Sequence, residues 1–312
     1  MKIEMFDNRM IPEIVALWNR ELTEDQISGD DFVRWHIADM NFSPDLLLVA
    51  TDGGKAVGFL FGIKRKVAYY SRGTEPDKCW IKAVAVDENY QDKGIATALL
   101  RVFEEKMKAE SVKKIVLGAY SPSYVFCGID KDAYPKAAPF FEANGFTQTE
   151  EAYGMERSLE DFEYLESAAR QKKKLEAEGF EFIPYSPEYA YPLLQMIHRN
   201  FSDGWLSYVI GAIQSGIARN TIIMAVHDGS VAGYVSRDSI GDDPERYGPF
   251  GVDEEARDCK LGSVLINEMF ENMTAAGINR MYFKSTEENG RRFYERQGVK
   301  VTRTFGKYEK NL

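Results

Sequence analysis

Gln91, Gly94 and Ala96 stand at the spacing Q-x-x-G-x-A, in a polar turn between the apolar run Ala83-Val84-Ala85-Val86 and a stretch with Ile95, Leu99, Leu100 and Phe103 at helical spacing. Such a turn can hold an anion. A strand that passes straight into a helix aims several unpaired backbone N–H groups at one point, and the positive end of the helix dipole adds to their pull. Gly94 lets the backbone take unusual dihedrals and come close to a ligand. Lys93 brings a positive charge nearby, and Ala96 and Thr97 are small at the start of the helix. The turn is not a nucleotide-hydrolase loop, because no Gly-Lys-Ser/Thr follows. Nor is it a dinucleotide fingerprint, since G-x-G-x-x-G is absent.

The elements that must position this turn occur twice. Val86-Asp87-Glu88 recurs as Val252-Asp253-Glu254, and Phe140-Phe141-Glu142 with Gly145 recurs as Phe293-Tyr294-Glu295 with Gly298. The second copy is shorter between these landmarks. In the first copy a strand over Lys2–Phe6 precedes helices near Pro12–Leu22 and Asp30–Met40. Strands follow near Leu46–Thr51, Ala56–Lys64 and Lys78–Val86. The turn then leads into a helix from about Ile95 to Met107, a strand over Lys114–Ala119, a helix ending at Asn144 before Gly145, and a strand near Glu151–Glu156. The second copy repeats this order from Glu181 to about Lys310. The charged, Ala-rich segment Leu159–Glu178 reads as a connecting helix. The expected domains are therefore 1–158 and 180–312, joined by 159–179.

Composition bounds the rest. A chain of 312 residues is longer than one core usually serves. A net charge of -10 argues against a nucleic-acid partner, which needs a basic footprint. No apolar run is long enough to span a membrane, and the start MKIEMFDNRM has no apolar signal core. Cys79, Cys127 and Cys259 are too scattered for a disulfide frame or a CxxC metal site. A cytoplasmic, metal-free protein is expected, as a monomer or a homodimer.

The turn, the apolar strand before it and the later Phe140-Phe141-Glu142-Ala143-Asn144-Gly145-Phe146 together resemble the acetyl-CoA site of the GCN5-related N-acetyltransferase (GNAT) family. The likeness covers nearly the whole chain as two tandem copies. It implies an α/β fold of two tandem acyl-CoA N-acyltransferase domains, each a mixed, mostly antiparallel sheet flanked by helices. It also implies a gap between the fourth and fifth strands for the pantetheine arm. Val84, Ala85 and Val86 would line that arm, and Gln91, Asp92, Lys93, Gly94, Ile95, Ala96 and Thr97 would hold the pyrophosphate, with Phe141 beside them. Acetyl-CoA would be the cosubstrate and a small-molecule or peptide amine the acceptor. A non-catalytic acyl-CoA binder or sensor is the alternative. An aminoacyl or peptidyl transferase on a tandem version of this fold usually needs a basic face for its RNA donor, which this acidic chain does not offer.

Direct transfer to an amine sets the chemical demands. Removing the proton of an amine with pKa near 10.4 costs roughly 4.6 kcal/mol at neutral pH, whereas the leaving thiol, near 8.5, lies only roughly 2 kcal/mol away. A backbone N–H near Val84 to Val86 could stabilise the carbonyl oxyanion. Family members often carry a tyrosine after the first aromatic of the second motif to protonate the thiolate. The first copy has Phe141 there, so Tyr134 and Tyr120 are the candidate acids. The second copy has Tyr294, but Lys260 stands where Gly94 stands. A non-glycine at positive φ costs about 1–2 kcal/mol, and the lysine either fills the phosphate space, which is the favoured reading, or contacts phosphate. The first copy is therefore expected to bind and react. Asp77, Asp87 and Glu88 are the carboxylates open as general base, acting through water. Cys127 lies in an insertion, Ser121–Lys136, that could rim the acceptor pocket. Trp35, Tyr69 and Trp80 could line the pocket or pack the core. His36, His198 and His227 have no metal-like neighbours, and structural roles are favoured for them.

Overall fold

The computed structural model describes residues 1–123, 125–239 and 243–312. In chain order its elements are β1 (Lys2–Met5), α1 (Ile11–Glu21), α2 (Gly29–Phe32), β2 (Leu47–Asp52), β3 (Lys55–Ile63), β4 (Lys78–Val86), α3 (Ile95–Ala109), β5 (Lys114–Leu117), β6 (Ile129–Asp130), α4 (Ala137–Ala143) and β7 (Thr147–Ser158). There follow α5 (Glu166–Ala177), β8 (Glu181–Pro184), α6 (Ala190–Asn200), α7 (Asp203–Gln214), α8 (Ala218–Thr221), β9 (Ile222–His227), β10 (Ser230–Arg237), β11 (Tyr247–Val252), α9 (Leu261–Ala275), β12 (Arg280–Thr286), α10 (Glu288–Glu295) and β13 (Lys300–Asn311). The expected helix over Asp30–Met40 is instead α2 followed by a π-helical turn, Val33–Ile37.

The chain forms two compact units, Met1–Tyr153 with Arg303–Leu312, and Gly154–Thr302. This division departs from the expected one in two places. The segment 154–179, with α5, lies within the second unit, and the chain from Arg303 onward belongs to the first. The physical cause of the second difference is strand pairing. Residues Glu309, Lys310 and Asn311 of β13 pair antiparallel with Val116, Ile115 and Lys114 of β5, and Phe305 pairs with Asp130 of β6.

In the first unit the strand order is β1-β2-β3-β4-β5-β13-β7. The β1-β2, β2-β3, β3-β4 and β5-β13 pairs are antiparallel and β4-β5 is parallel. Alternate residues of a strand face opposite sides, and the core divides accordingly. Leu60, Ile81 and Ile115 pack with Leu99, Leu100 and Phe103 of α3. Phe59, Phe61 and Ala85 pack with Ile14, Leu17 and Trp18 of α1 on the other face. Each such buried side chain stabilises the fold by about 1.5–3 kcal/mol, so α3 is held firmly with its N-terminus at the turn after β4.

In the second unit β11-β10-β9-β8 form an antiparallel sheet. Its core joins Leu193 and Ile197 of α6 and Val209 of α7 to Met224 and Tyr234 of the sheet. The last turn before α9 repeats the geometry seen before α3: Lys260, with φ 56°, occupies the left-handed conformation that Gly94 adopts with φ 77°.

Candidate active site

Strands β4 and β5 run together only as far as Ile81 and Leu117. The last bond between them is Gly118 N–H donating to Ile81 O at 2.9 Å. Beyond it β5 turns away, because Ala119 N–H donates to Phe126 O at 2.7 Å. Gly118 has φ 65°, and a Cβ there would meet Phe126 O at 2.6 Å, so the divergence requires glycine. The remaining part of β4, from Lys82 to Val86, therefore keeps β3 on one edge and opens on the other into a cavity of about 810 Å³.

The cavity runs from this open edge to the turn before α3. Val84, Ala85, Val86, Gln91, Asp92, Gly94, Ile95, Ala96, Thr97, Phe141 and Tyr134 all line it. Lys93, Tyr120 and Tyr294 are not among its lining residues. In the turn, Asp87 accepts from Asn89 N–H at 3.0 Å and from Arg20 at 2.8 Å, which fixes the exit from β4. Gln91 donates to Val86 O at 3.1 Å and accepts from Lys136 at 2.8 Å. No side chain caps α3, and the first helical bond runs from Ala98 N–H to Gly94 O at 2.9 Å. The N–H groups of Ile95, Ala96 and Thr97 precede that bond and have no partner within the helix. The space where a Gly94 Cβ would stand is open to 4 Å. Amides, the helix dipole and the Lys136 ammonium thus suit a diphosphate, and the open edge of β4 suits an extended arm bearing amides.

On the α1 face, Lys82 lies in a β-bulge: Phe61 pairs with Ala83 while the next residue, Gly62, pairs with Ile81. The Lys82 ammonium position is buried, with Nζ 3.1 Å from Trp35 O and 3.0 Å from Ser123 Oγ. Ser123 donates to Asp39 at 3.0 Å, and Asp39 also accepts from Tyr120 OH at 3.3 Å. Burial lowers the Lys82 pKa to about 7, against the opposing pull of Asp39. His36 is fully buried among Trp18, Phe32 and Phe61, and neither ring nitrogen has a hydrogen-bond partner. Burial and the neighbouring Lys82 charge push its pKa well below the ordinary value, so it is neutral.

Tyr134, at the cavity wall, donates to Asp25 at 2.7 Å. Burial and the Asp25 charge raise its pKa, so the phenol keeps its proton. Asp25 and Asp130 are buried carboxylates, and both are held by Arg303 of β13, at 2.8 Å and 2.6 Å. Tyr120 is fully buried and bonded to Asn41 and Asp39, with its pKa raised by burial. The rings of Tyr69, Trp80 and Tyr120 enclose the Arg65 guanidinium, and the Trp35 carbonyl rather than its ring serves Lys82. Cys127 packs with Ala152 and Phe305. Asp77 is exposed and pairs with Lys113 at 3.4 Å. Lys82, Asp39, Ser123, Asp25, Asp130 and Arg303 were not singled out from the sequence. Lys82 had a signal there, as the one charge inside Cys79-Trp80-Ile81-Lys82-Ala83-Val84-Ala85-Val86.

In the stretch of the second unit that corresponds to this cavity, aromatic rings meet one another. Phe250 stacks on Phe293 at 5.6 Å, and Tyr294 meets Phe283 at 4.5 Å and Tyr247 at 5.9 Å. Phe250 also lies 3.2 Å from where a Cβ on Gly262 would stand.

The profile of the acetyltransferase (GNAT) family matches residues 11–146 and again residues 190–299. The chain belongs to the GNAT family. Its members take acetyl-CoA as the acetyl donor. The acetyltransferase SG1711 of Sodalis glossinidius is 32% identical over 127 residues, which are 38% of this chain and 74% of that protein. Among solved structures, a GCN5-related glucosamine N-acetyltransferase region of a fungal multi-domain GH3 β-N-acetylglucosaminidase matches with a TM-score of 0.81 and 20% identity. That match covers 99% of this GNAT chain and 38% of the fungal one, so the chain spans well under half of that protein. A tandem GNAT protein from the clavulanic acid biosynthesis pathway matches at TM-score 0.67 and 17% identity, over 99% of this chain and 98% of its own. A GNAT protein of Sphaerobacter thermophilus gives 0.69 and 16%, over 99% and 95%. These likenesses show the tandem GNAT fold. Among the described residues no helix is long and apolar enough to cross a membrane, and no group of His, Cys, Asp and Glu is placed to hold a metal ion.

Proposed function

We propose that this GNAT protein is an acetyl-CoA-dependent N-acetyltransferase whose first unit carries the reaction, by direct transfer to the amine of a small molecule or peptide. The observation that carries this reading is the open edge of β4 from Lys82 to Val86, continuous with the uncapped N-terminus of α3. Acetyl-CoA supplies the activated acetyl group as a thioester. The amides of Ile95, Ala96 and Thr97, with Lys136 nearby, hold the diphosphate. Val84 and Val86 align the arm along β4, and a backbone N–H of this stretch faces the carbonyl oxygen. Phe141 packs beside the arm. Tyr134 is the one of the three candidate phenols that lines the cavity, where it acts as a fixed proton donor. The second unit is the non-reacting one, with aromatic rings and Lys260 where the first has space and Gly94.

Phe141, which cannot protonate a thiolate, favours a second reading, a non-catalytic acyl-CoA binder. Two measurements separate the readings. Thermal unfolding with saturating acetyl-CoA should show a raised Tm, as for any ligand that binds only the native state. Thiol release should then appear with at least one amine from a panel of amino sugars, polyamines, amino acids and peptides with free N-termini. The fungal relative's named acceptor is the reason for including glucosamine. A Tm shift with no thiol release from any amine supports the binder. No Tm shift removes both readings.

A further inference from the structure

We infer that Arg303 of β13 is a positioning residue of the transfer reaction: through two carboxylates it sets the Tyr134 phenol, and the chain that carries it, against the cavity. This rests on the N-acetyltransferase reading above, in which Tyr134 is the proton donor. The guanidinium uses its whole fork. Nη1 and Nη2 donate to the two carboxylate oxygens of Asp25, each at 2.8 Å, and Nε donates to Asp130 at 2.6 Å. Side-by-side pairing of this kind fixes orientation as well as distance.

Tyr134 hangs from these same two residues. Asp25 Oδ2, the oxygen that takes Arg303 Nη2, also accepts from the Tyr134 hydroxyl at 2.7 Å. Asp130 O accepts from Tyr134 N–H at 2.9 Å. The Asp130 carboxylate accepts from Asp132 N–H at 3.1 Å and Ala133 N–H at 3.0 Å, which shapes the turn leading to Tyr134. The phenol end and the backbone end of one residue are thus tied to one guanidinium. The Phe126 ring, also at the cavity, meets the Tyr134 ring edge-on at 6.1 Å.

The segments joined in this way wall the cavity. Leu22 lines it shortly before Asp25, and Ala133, Tyr134, Pro135 and Lys136 line it shortly after Asp130. The second of these walls also leans on the β13 backbone. Phe305 and Gly306 pair with Asp130 and Ile129, and a Cβ on Gly128 would meet Gly306 O at 2.3 Å. The Asp25 backbone is fixed without Arg303: its N–H bonds Leu22 O at 3.0 Å, and its carbonyl accepts from the Trp18 indole at 2.7 Å. What Arg303 decides is therefore the direction of the Asp25 carboxylate, and with it the place of the phenol oxygen. A reacting group misplaced by about 1 Å can cost about 100-fold in rate. Holding Tyr134 thus bears on turnover as well as on stability.

The test is a double-mutant cycle on thiol release by the intact chain, with acetyl-CoA and the best amine of the panel. Arg303→Lys keeps a cation but has no planar fork to span both carboxylates. It should retain the acetyl-CoA-induced Tm shift and the KM for acetyl-CoA, and lose kcat by about 10- to 100-fold. Asp25→Asn keeps the side-chain shape and weakens the same link from its other side, so a similar loss of kcat is expected; should Arg303→Lys not fold, Asp25→Asn decides. Tyr134→Phe should itself lower kcat by at least about 100-fold, and neither substitution should lower it further in that background. A clamp serving stability alone would leave kcat unchanged, or cost the same factor with and without the phenol. Wild-type kcat in a folded Arg303→Lys or Asp25→Asn chain, losses that multiply with that of Tyr134→Phe, or wild-type kcat in Tyr134→Phe would overturn the proposal. Failure of the underlying reading is a different result, a wild-type chain that releases no thiol with any amine, and it removes Arg303's role with it.

Discussion

A lysine 3% exposed, over the rings of Phe61 and Tyr120, works against folding at neutral pH. The folded chain releases the Lys82 proton near pH 7, while the unfolded chain holds it to about 10.4. Between those values the native state binds fewer protons than the unfolded state, so this group makes stability rise with pH. His36 acts in the same direction at lower pH, since its folded pKa lies below the unfolded one. Lys82→Met removes the lysine contribution and leaves that of His36. The difference in unfolding free energy between the variant and the wild type should therefore shift by about 4 kcal/mol in favour of wild type from pH 6 to pH 10. Urea unfolding at the two pH values checks this. A constant difference would mean that Lys82 keeps its proton in the folded state.

At the scale of elements, the two copies of the turn before the helix form a natural comparison. Lys260 already occupies the left-handed conformation in the second unit, so Gly94→Lys should fold, with a cost of about 1–2 kcal/mol seen as a Tm lowered by a few degrees. Lys260→Gly should not create a second site, because the Phe250 and Phe293 rings still stack beside Gly262 at the start of α9. Acetyl-CoA titrations of the two variants by thermal shift decide this, and binding regained through Lys260→Gly would refute it. The loop was legible in the sequence because Gln91, Gly94 and Ala96 act within one turn, and because β4 and α3 announce themselves through Val84, Val86, Leu99 and Phe103. The π-helical turn was not, because Val33–Ile37 reads as ordinary helix until Ala38 N–H is seen to bond Val33 O. Lys82 was visible as a charge in an apolar strand. Its buried setting was not, because the bulge in β4 at Lys82 depends on the pairing of Phe61 and Gly62 across the sheet. Local patterns were readable; residues joined only by tertiary pairing were not.

At the scale of the whole molecule, the order of the repeats conceals where the chain ends up. Residues from Arg303 onward complete the first unit, and Arg303 pairs with both Asp25 and Asp130 beside the Tyr134 wall. Removing one partner of a buried ion pair leaves an uncompensated charge. Arg303→Met should therefore destabilise the first unit by about 3 kcal/mol, although the residue follows the entire second copy in sequence. Thermal unfolding reads this directly, and an unchanged Tm would show that the two carboxylates do not depend on β13. The central claim is that the first unit seats acetyl-CoA and the second does not. Isothermal titration of the intact chain with acetyl-CoA tests it most directly. One site per chain is expected, weakened at least about tenfold in Gly94→Lys, which is about 1.4 kcal/mol of binding. Two equivalent sites per chain, or a single site indifferent to Gly94→Lys, would contradict it.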